Sequence, residues 1–212
     1  MELLGKRVYS ILRLLTLLPH IVLFSISSNR WIIKMDLERW RQLVIRTQKQ
    51  ASYYQLCKDF VQIMTSHPEF RSLFYHRIRK QYPILTYVMS KCLCAPQNAL
   101  YIMTPASSIG PGLFIVHGFS TIISAKSIGS NCMIGQQVTI GFTSMDPNDC
   151  PTIEDDVAIF PAAIVIGGIT IGSNSVVGAN AVVVKDVPKN CTVVGVPAYI
   201  VKRNGLPTRE SL

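Results

Sequence analysis

Of the four histidines in the chain (His20, His67, His76 and His117), His117 is the only one beyond residue 98. A lone histidine is more often structural than catalytic, but this one stands where a regular spacing of apolar residues breaks, the usual place for function on a repetitive scaffold. An imidazole of ordinary pKa, near 6.5, can take the proton of an alcohol at neutral pH as that alcohol attacks a carbonyl. The oxyanion that develops needs donors, and the backbone N–H groups at Gly141 and Phe142 are candidates. Just beyond them, Thr143 to Pro151 is polar and carries Asp146, Asp149 and Cys150. The six cysteines offer one close pair, Cys92 and Cys94, with no Cys-x-x-Cys and no histidine cluster. Metal-site spacing is therefore missing, and scattered thiols on apolar stretches read as free cysteines in a reducing compartment.

The element that must position His117 is read from a period of six. Ile128, Ile134 and Ile140 are six apart, and so are Ile153, Ile159, Val165, Ile171, Val177 and Val183. A 3.6-residue helix cannot keep every sixth residue on one side, and a plain strand of period two would not single out the sixth. A coil with three flat faces, one hexapeptide to each, satisfies the pattern by stacking the aliphatics along its axis. Glycine often follows the aliphatic (Gly135, Gly141, Gly172, Gly178), which suggests glycine at tight corners. Two breaks stand out. Ile140 to Ile153 is one residue longer than two repeats, and one further residue is gained between His117 and Ile128.

The first half of the chain is different. Residues 1–98 hold 15 basic and 5 acidic side chains, whereas residues 99–212 hold 6 and 7. Helices are expected over 36–49 with Asp36 as cap, over a Tyr53–Met64 pattern, from Pro68 through Ile78, and over 83–95. Arg77, Arg79 and Lys80 read as a solvated face, since no nucleic-acid-binding signature accompanies them. Leu14 to Ser28 is an uncharged apolar run shorter than a membrane span, behind Lys6, Arg7 and Arg13. It reads as a buried helix or as a segment lying on an anionic membrane surface.

The hexapeptide region resembles the left-handed parallel β-helix acyltransferases that use acetyl-CoA. The stretch from Ile109 to Gly118, then Gln137-Val138-Thr139-Ile140-Gly141, and the closing Gly195-Val196-Pro197-Ala198 are similar to serine O-acetyltransferases. Glu69 to Ile78 resembles that family's last helix before the coil, so the likeness covers residues 68–205. It implies a mainly β fold, a left-handed parallel β-helix over residues 99–205, preceded by a helical region 1–98 and followed by a tail 206–212. It also implies His117 as catalytic base, acetyl-CoA as co-substrate without a metal, and acetyl-CoA contacts near Phe142, Pro161, Ala179 and Lys185. Pro161 has no N–H to donate. The family's assembly implies a homotrimer, alone or paired into a dimer of trimers.

Departures from the family bear on the acceptor. Val116 and Ile102 stand where serine acetyltransferases have Asp, and Asp149-Cys150-Pro151 replaces Arg-His-Pro. A zwitterion needs matched charges, because an unpaired buried one is costly. These residues, and a likeness of the Cys-Pro variant to polysaccharide-cluster O-acetyltransferases, lead us to expect a sugar hydroxyl as acceptor and Asp146, Asp149 and Cys150 as its loop. L-serine is the alternative acceptor, and a non-enzymatic trimeric scaffold is the rival class. A γ-type carbonic anhydrase would need three histidines on the coil. The expected setting is cytoplasmic, free or on the inner membrane face, with no nucleic acid.

Overall fold

The computed structural model describes residues 15–144, 146 and 149–212. The basic side chains Lys6, Arg7 and Arg13 lie outside the described residues. The chain divides between Pro96 and Gln97 into two compact units.

In the first unit, residues 15–26 are helical (α1), followed by α2 (Arg30–Trp40), a π-turn (Arg41–Ile45), α3 (Tyr53–Ser66), α4 (Pro68–Ile78) and α5 (Pro83–Cys92). Aromatic rings make its core: Phe24 stacks on Phe60 at 5.1 Å, and Phe70 and Phe74 meet Trp40 and Phe60 edge-on at 5.2 and 5.3 Å. Ser52 caps α3 through a bond from the Gln55 N–H, and Pro68 opens α4 at a position where its missing N–H costs nothing.

Two expectations are corrected here. α2 begins six residues before Asp36, which is no cap but a buried mid-helix acceptor. Its partner is Arg77, whose Nε and Nη2 reach the two carboxylate oxygens at 2.9 and 3.2 Å. Arg77 is thus buried, and only Arg79 and Lys80 of that cluster are exposed. A second buried guanidinium, Arg41, bonds Asp59 and Glu38, each at 2.6 Å. A buried charge persists only where such partners compensate it, so both pairs fix how the helices meet.

α1 is two-sided. Leu17, His20, Leu23 and Phe24 are buried, while Leu15, Leu18, Val22 and Ile26 are exposed. Among the described residues no helix is long and apolar enough to cross a membrane.

The second unit is a coil of short parallel strands on three faces. β1 (Leu100–Ile102), β3 (Thr121–Ile123), β6 (Thr139–Gly141), β9 (Ile164–Ile166) and β12 (Val182–Val183) form a five-strand face. β4 (Ser127–Ile128), β7 (Thr152–Ile153) and β10 (Thr170–Ile171) form a three-strand face. β2 (Phe114–Ile115), β5 (Met133–Ile134), β8 (Ala158–Ile159), β11 (Val176–Val177) and β13 (Cys191–Val194) stack on the third face. β14 (Tyr199–Arg203) and β15 (Leu206–Ser211) extend that face in antiparallel sense, so the expected tail 206–212 is sheet over residues 206–211. The six-residue aliphatics are the inward ladders: Ile115, Ile134, Ile159 and Val177 stack in register on one face, and Ile123, Ile140, Val165 and Val183 on another. All are 1% exposed or less.

Glycine does a different job from the expected one. The left-handed corners fall on Asn131, Asp156, Asn174 and Asn190 at one edge and on Ser120, Gln137, Ala162 and Asn180 at another, all with φ between +52° and +60°. The glycines after the aliphatics instead let coils approach. A Cβ on Gly110 or Gly172 would lie 2.6 or 2.5 Å from backbone of the next coil.

One ionisable group ties stability to pH. His20 is fully buried, and its Nε2 lies 2.8 Å from the Tyr75 hydroxyl, which donates to the Cys94 carbonyl. Burial lowers the His20 pKa from 6.5 to about 4. Between those values the unfolded chain binds a proton that the folded one refuses, so stability falls as pH drops through this window and is flat for this group above it. The first unit is expected to lose about 3 kcal/mol from this group between pH 7 and pH 4. Chemical denaturation at a series of pH values checks this, since His20→Gln should flatten that slope.

Candidate active site

Register from both sides isolates the site. Counting forward from β2, Val116 N–H bonds the Ile134 carbonyl just as Gly135 N–H bonds Ile159 and Phe160 N–H bonds Val177. Counting back from β3, the Phe119 carbonyl accepts from Gln137 just as Gln136 accepts from Ala162 and Pro161 from Asn180. Val116 therefore matches Gly135 and Phe160, and Phe119 matches Gln136, Pro161 and Ala179. His117 and Gly118 match nothing. They are two extra residues expelled from the coil, and Ile123 to Ile128 gives one back by being five apart. The single slip seen in the sequence is the sum of these two changes.

His117 is the strained member of the expelled pair. His117 has φ +60° and Gly118 φ +56°, and Gly118 N–H bonds the Val116 carbonyl at 2.7 Å across the histidine. An i→i+2 bond over a residue of positive φ is the geometry of the uncommon γ-turn, and such conformations cluster at functional sites. The imidazole is exposed. Val116 offers it no carboxylate partner.

The expected site residues divide between two edges of the five-strand face. Pro161 and Ala179 line the edge below His117, as the register shows. The Gln136 side chain belongs to this edge too, and its Oε1 is buried with no hydrogen-bond partner. Sequence reasoning passed over Gln136 because a glutamine in a repeat looks like an ordinary corner residue. Gly141 and Phe142 lie at the other edge, a three-residue strand away, roughly 10 Å at the usual rise. Gly141 differs from the stacked glycines: a Cβ there would meet nothing within 4 Å, so its surroundings are open. Phe142 beside it is 48% exposed. Lys185 follows β12 on the same edge, and its Nζ donates to the Leu212 carbonyl at 2.8 Å. It lines a cavity of about 460 Å³ with Val184, Val196, Pro197 and Tyr199.

The excursion between Phe142 and Pro151 is held at its neck by Asp149. One carboxylate oxygen accepts from the Thr143 N–H, the Thr143 hydroxyl and the Ser144 N–H at 2.6–2.7 Å, and the other from Gly168 N–H at 2.9 Å. These bonds, those of Thr143 foremost, hold its carboxyl well below the usual carboxylate range. Asp149, expected to face the acceptor, is committed to the loop. Asp146 is exposed, and Cys150 sits 3.9 Å from the Ser124 hydroxyl. Among the described residues no group of three or more His, Cys, Asp or Glu side chains could hold a metal ion.

No protein-family model matches the chain. A serine acetyltransferase of Bacillus pumilus is 33% identical over 160 residues, which cover 73% of this chain and 74% of that protein. The chain belongs to the serine acetyltransferase family. A serine acetyltransferase of Synechococcus elongatus is also 33% identical over 156 residues, but the chain spans only 63% of that longer protein. The crystal structure of the Neisseria gonorrhoeae serine acetyltransferase superposes with a TM-score of 0.59 at 26% identity, covering 86% of this chain and 70% of its own. The coil of this chain is thus the left-handed β-helix of the serine acetyltransferases, a family of acetyl-CoA-dependent acyltransferases.

The neck of the excursion loop is testable by itself. Asp149→Ala should speed hydrogen exchange at the Thr143, Ser144 and Gly168 amides by about tenfold or more, as hydrogen bonds to a charged acceptor are lost. Amides of the stacked strands β8 and β11 should be unchanged. Native-state exchange read by mass spectrometry checks both.

Proposed function

We propose that the chain is an O-acetyltransferase that moves the acetyl group of acetyl-CoA to the hydroxyl of L-serine. The observation that carries the reading is the expulsion of His117 with Gly118 from an otherwise regular coil. There His117 takes the proton of the acceptor hydroxyl as its oxygen attacks the thioester carbonyl. The tetrahedral oxyanion is met by backbone N–H donors at Gly141 and Phe142. Collapse expels the thiolate of CoA, and the imidazolium returns the proton to it. Serine as acceptor is supported by the names of the curated relatives and by the gonococcal enzyme, 27% identical, whose structure is in complex with serine.

A sugar hydroxyl, the acceptor expected from sequence, is the second reading. The polysaccharide branch finds no support among the relatives. What favours a neutral acceptor is local: Val116 and Ile102 are apolar, and the Asp149 carboxylate is occupied within its own loop. Release of CoA from acetyl-CoA, measured against L-serine, free and nucleotide sugars and capsule oligosaccharides, decides between them. Serine turnover at an efficiency of about 10⁴ M⁻¹s⁻¹ or more, lowered at least about a hundredfold by His117→Ala with CoA affinity kept, is the expected result. Turnover of sugars alone would establish the second reading, and unchanged turnover in His117→Ala would remove both.

Assembly as a homotrimer belongs to the same proposal. His117 and the Gly141–Phe142 edge do not meet within one chain, and a site between copies would unite them. The outward rows support this. Tyr101, Ile122, Thr139, Ile164 and Val182 are outward on the five-strand face, and Phe114, Met133, Ala158 and Val176 on the next. The three-strand face shows Ser127, Thr152 and Thr170 instead. Two apolar faces and one polar face suit a closed ring in which each copy meets two others. Ile122→Glu with Ile164→Glu should reduce the mass seen by light scattering to that of a monomer and abolish turnover.

A further inference from the structure

The first unit carries a surface that acetyl transfer does not use. On α1 the exposed residues Leu15, Leu18, Val22 and Ile26 form one stripe at helical spacing, opposite the buried Leu17, His20 and Leu23. Beyond the turn after α1, Trp31 and Met35 are exposed on α2, at 60% and 46%. A cavity of about 400 Å³ joins the two helices to α3, lined by Phe24, Ser25, Arg30, Trp31, Lys34 and Tyr53 among others. The Ser25 hydroxyl and the Tyr53 hydroxyl lie 2.6 Å apart in its wall. Two cations and two amphipathic aromatic rings thus border one apolar-floored hollow beside an apolar stripe.

The charge of the unit is sorted in the same sense. Residues 15–96 hold 12 Lys and Arg against 4 Asp and Glu. Asp36, Asp59 and Glu69 are buried, and the partly covered Glu38 is paired with Arg41, so among the described residues of this unit no carboxylate is exposed. Eight of the basic side chains, Arg30 and Lys34 among them, are exposed. Asp36 and Asp59 have been drawn inside to neutralise Arg77 and Arg41, and the exposed charges among the described residues of the unit are of one sign.

We propose that α1, with the hollow between it, α2 and α3, docks the protein onto an anionic lipid surface. The apolar stripe enters the boundary between headgroups and acyl chains, Trp31 and Tyr53 sit at headgroup level, and Arg30 and Lys34 meet lipid phosphates. Among the described residues no helix is long and apolar enough to cross a bilayer, and the two-sided α1 suits a segment lying on its surface. A second copy is a poorer occupant, because a self-complementary contact would set this basic surface against itself, with no exposed carboxylate among the described residues of the unit to relieve it.

Co-sedimentation of the full chain with vesicles tests this, using phosphatidylcholine alone and phosphatidylcholine mixed with phosphatidylglycerol. Binding should be at least about tenfold tighter to the anionic vesicles and should weaken as salt is raised. Trp31 emission should shift to the blue on binding and the shift should vanish in Trp31→Phe, since Trp40 is already buried. Arg30→Glu with Lys34→Glu, and separately Val22→Glu with Ile26→Glu, should each weaken binding by roughly tenfold or more with helix content unchanged. Equal binding to neutral vesicles, no binding to anionic ones at physiological salt, or indifference to both double variants would overturn the proposal. A blue shift with inorganic phosphate alone, or double variants that change only the oligomer mass, would overturn it too.

Discussion

Close stacking of backbone on backbone is the constraint on which the coil depends. Glycines such as Gly110 and Gly172 bring successive coils so near that a methyl group would overlap the next one. Inside, the Ile and Val ladders leave no slack, being almost wholly excluded from solvent. Such a stack cannot absorb an extra residue by stretching, because one residue of slip would turn the inward ladder outward. Additional residues must leave the coil at a corner. The structure shows this twice, as the two-residue expulsion of His117 and Gly118 and as the longer excursion tied at its neck by Asp149. A rigid prism therefore offers its chemistry only at edges, held by strain on one side and by a carboxylate clasp on the other.

The edges bound one face. His117, Gln136, Pro161 and Ala179 occupy one, and Gly141, Phe142 and Lys185 the other. An acyl donor and an acceptor that need both groups must bridge a strand's length or meet between copies. The helical unit obeys other rules. There, two buried guanidiniums set the packing, and their neutralisation takes Asp59 and Asp36 away from the surface. The consequence, among the described residues, is a basic exterior.

Much of the coil was legible because its period of six is a direct image of the inward ladder. The roles of glycine and of the corner residues were not, since close approach between coils depends on residues 18 or so apart, such as Gly172 and Lys189. His117 was found from its break in spacing together with its place in the stretch Ile109 to Gly118 that resembles serine O-acetyltransferases. The true insertion was hidden by the compensating short step between Ile123 and Ile128, and only pairing from both strands reveals it. Asp36 misled for a simple reason: an Asp before an apolar run looks the same as a cap or as the mate of an arginine 41 residues away. Asp149 was read only as a residue of the acceptor's loop, and its four donors, which close the neck of that loop, come from Thr143, Ser144 and the distant Gly168. The acceptor itself was read from single departures, Val116 and Ile102, whereas the resemblance to serine acetyltransferases extends over most of the chain.

The central claim is that His117 and Gly118 are a pair inserted for chemistry into a coil that does not need them. Deleting both residues together restores an unexpanded corner and tests it most directly. The account predicts a shortened chain that is at least as stable to thermal unfolding as the original, because a strained turn is gone, and that releases no CoA from acetyl-CoA above background. A shortened chain that no longer folds, or one that still transfers acetyl groups, would contradict it.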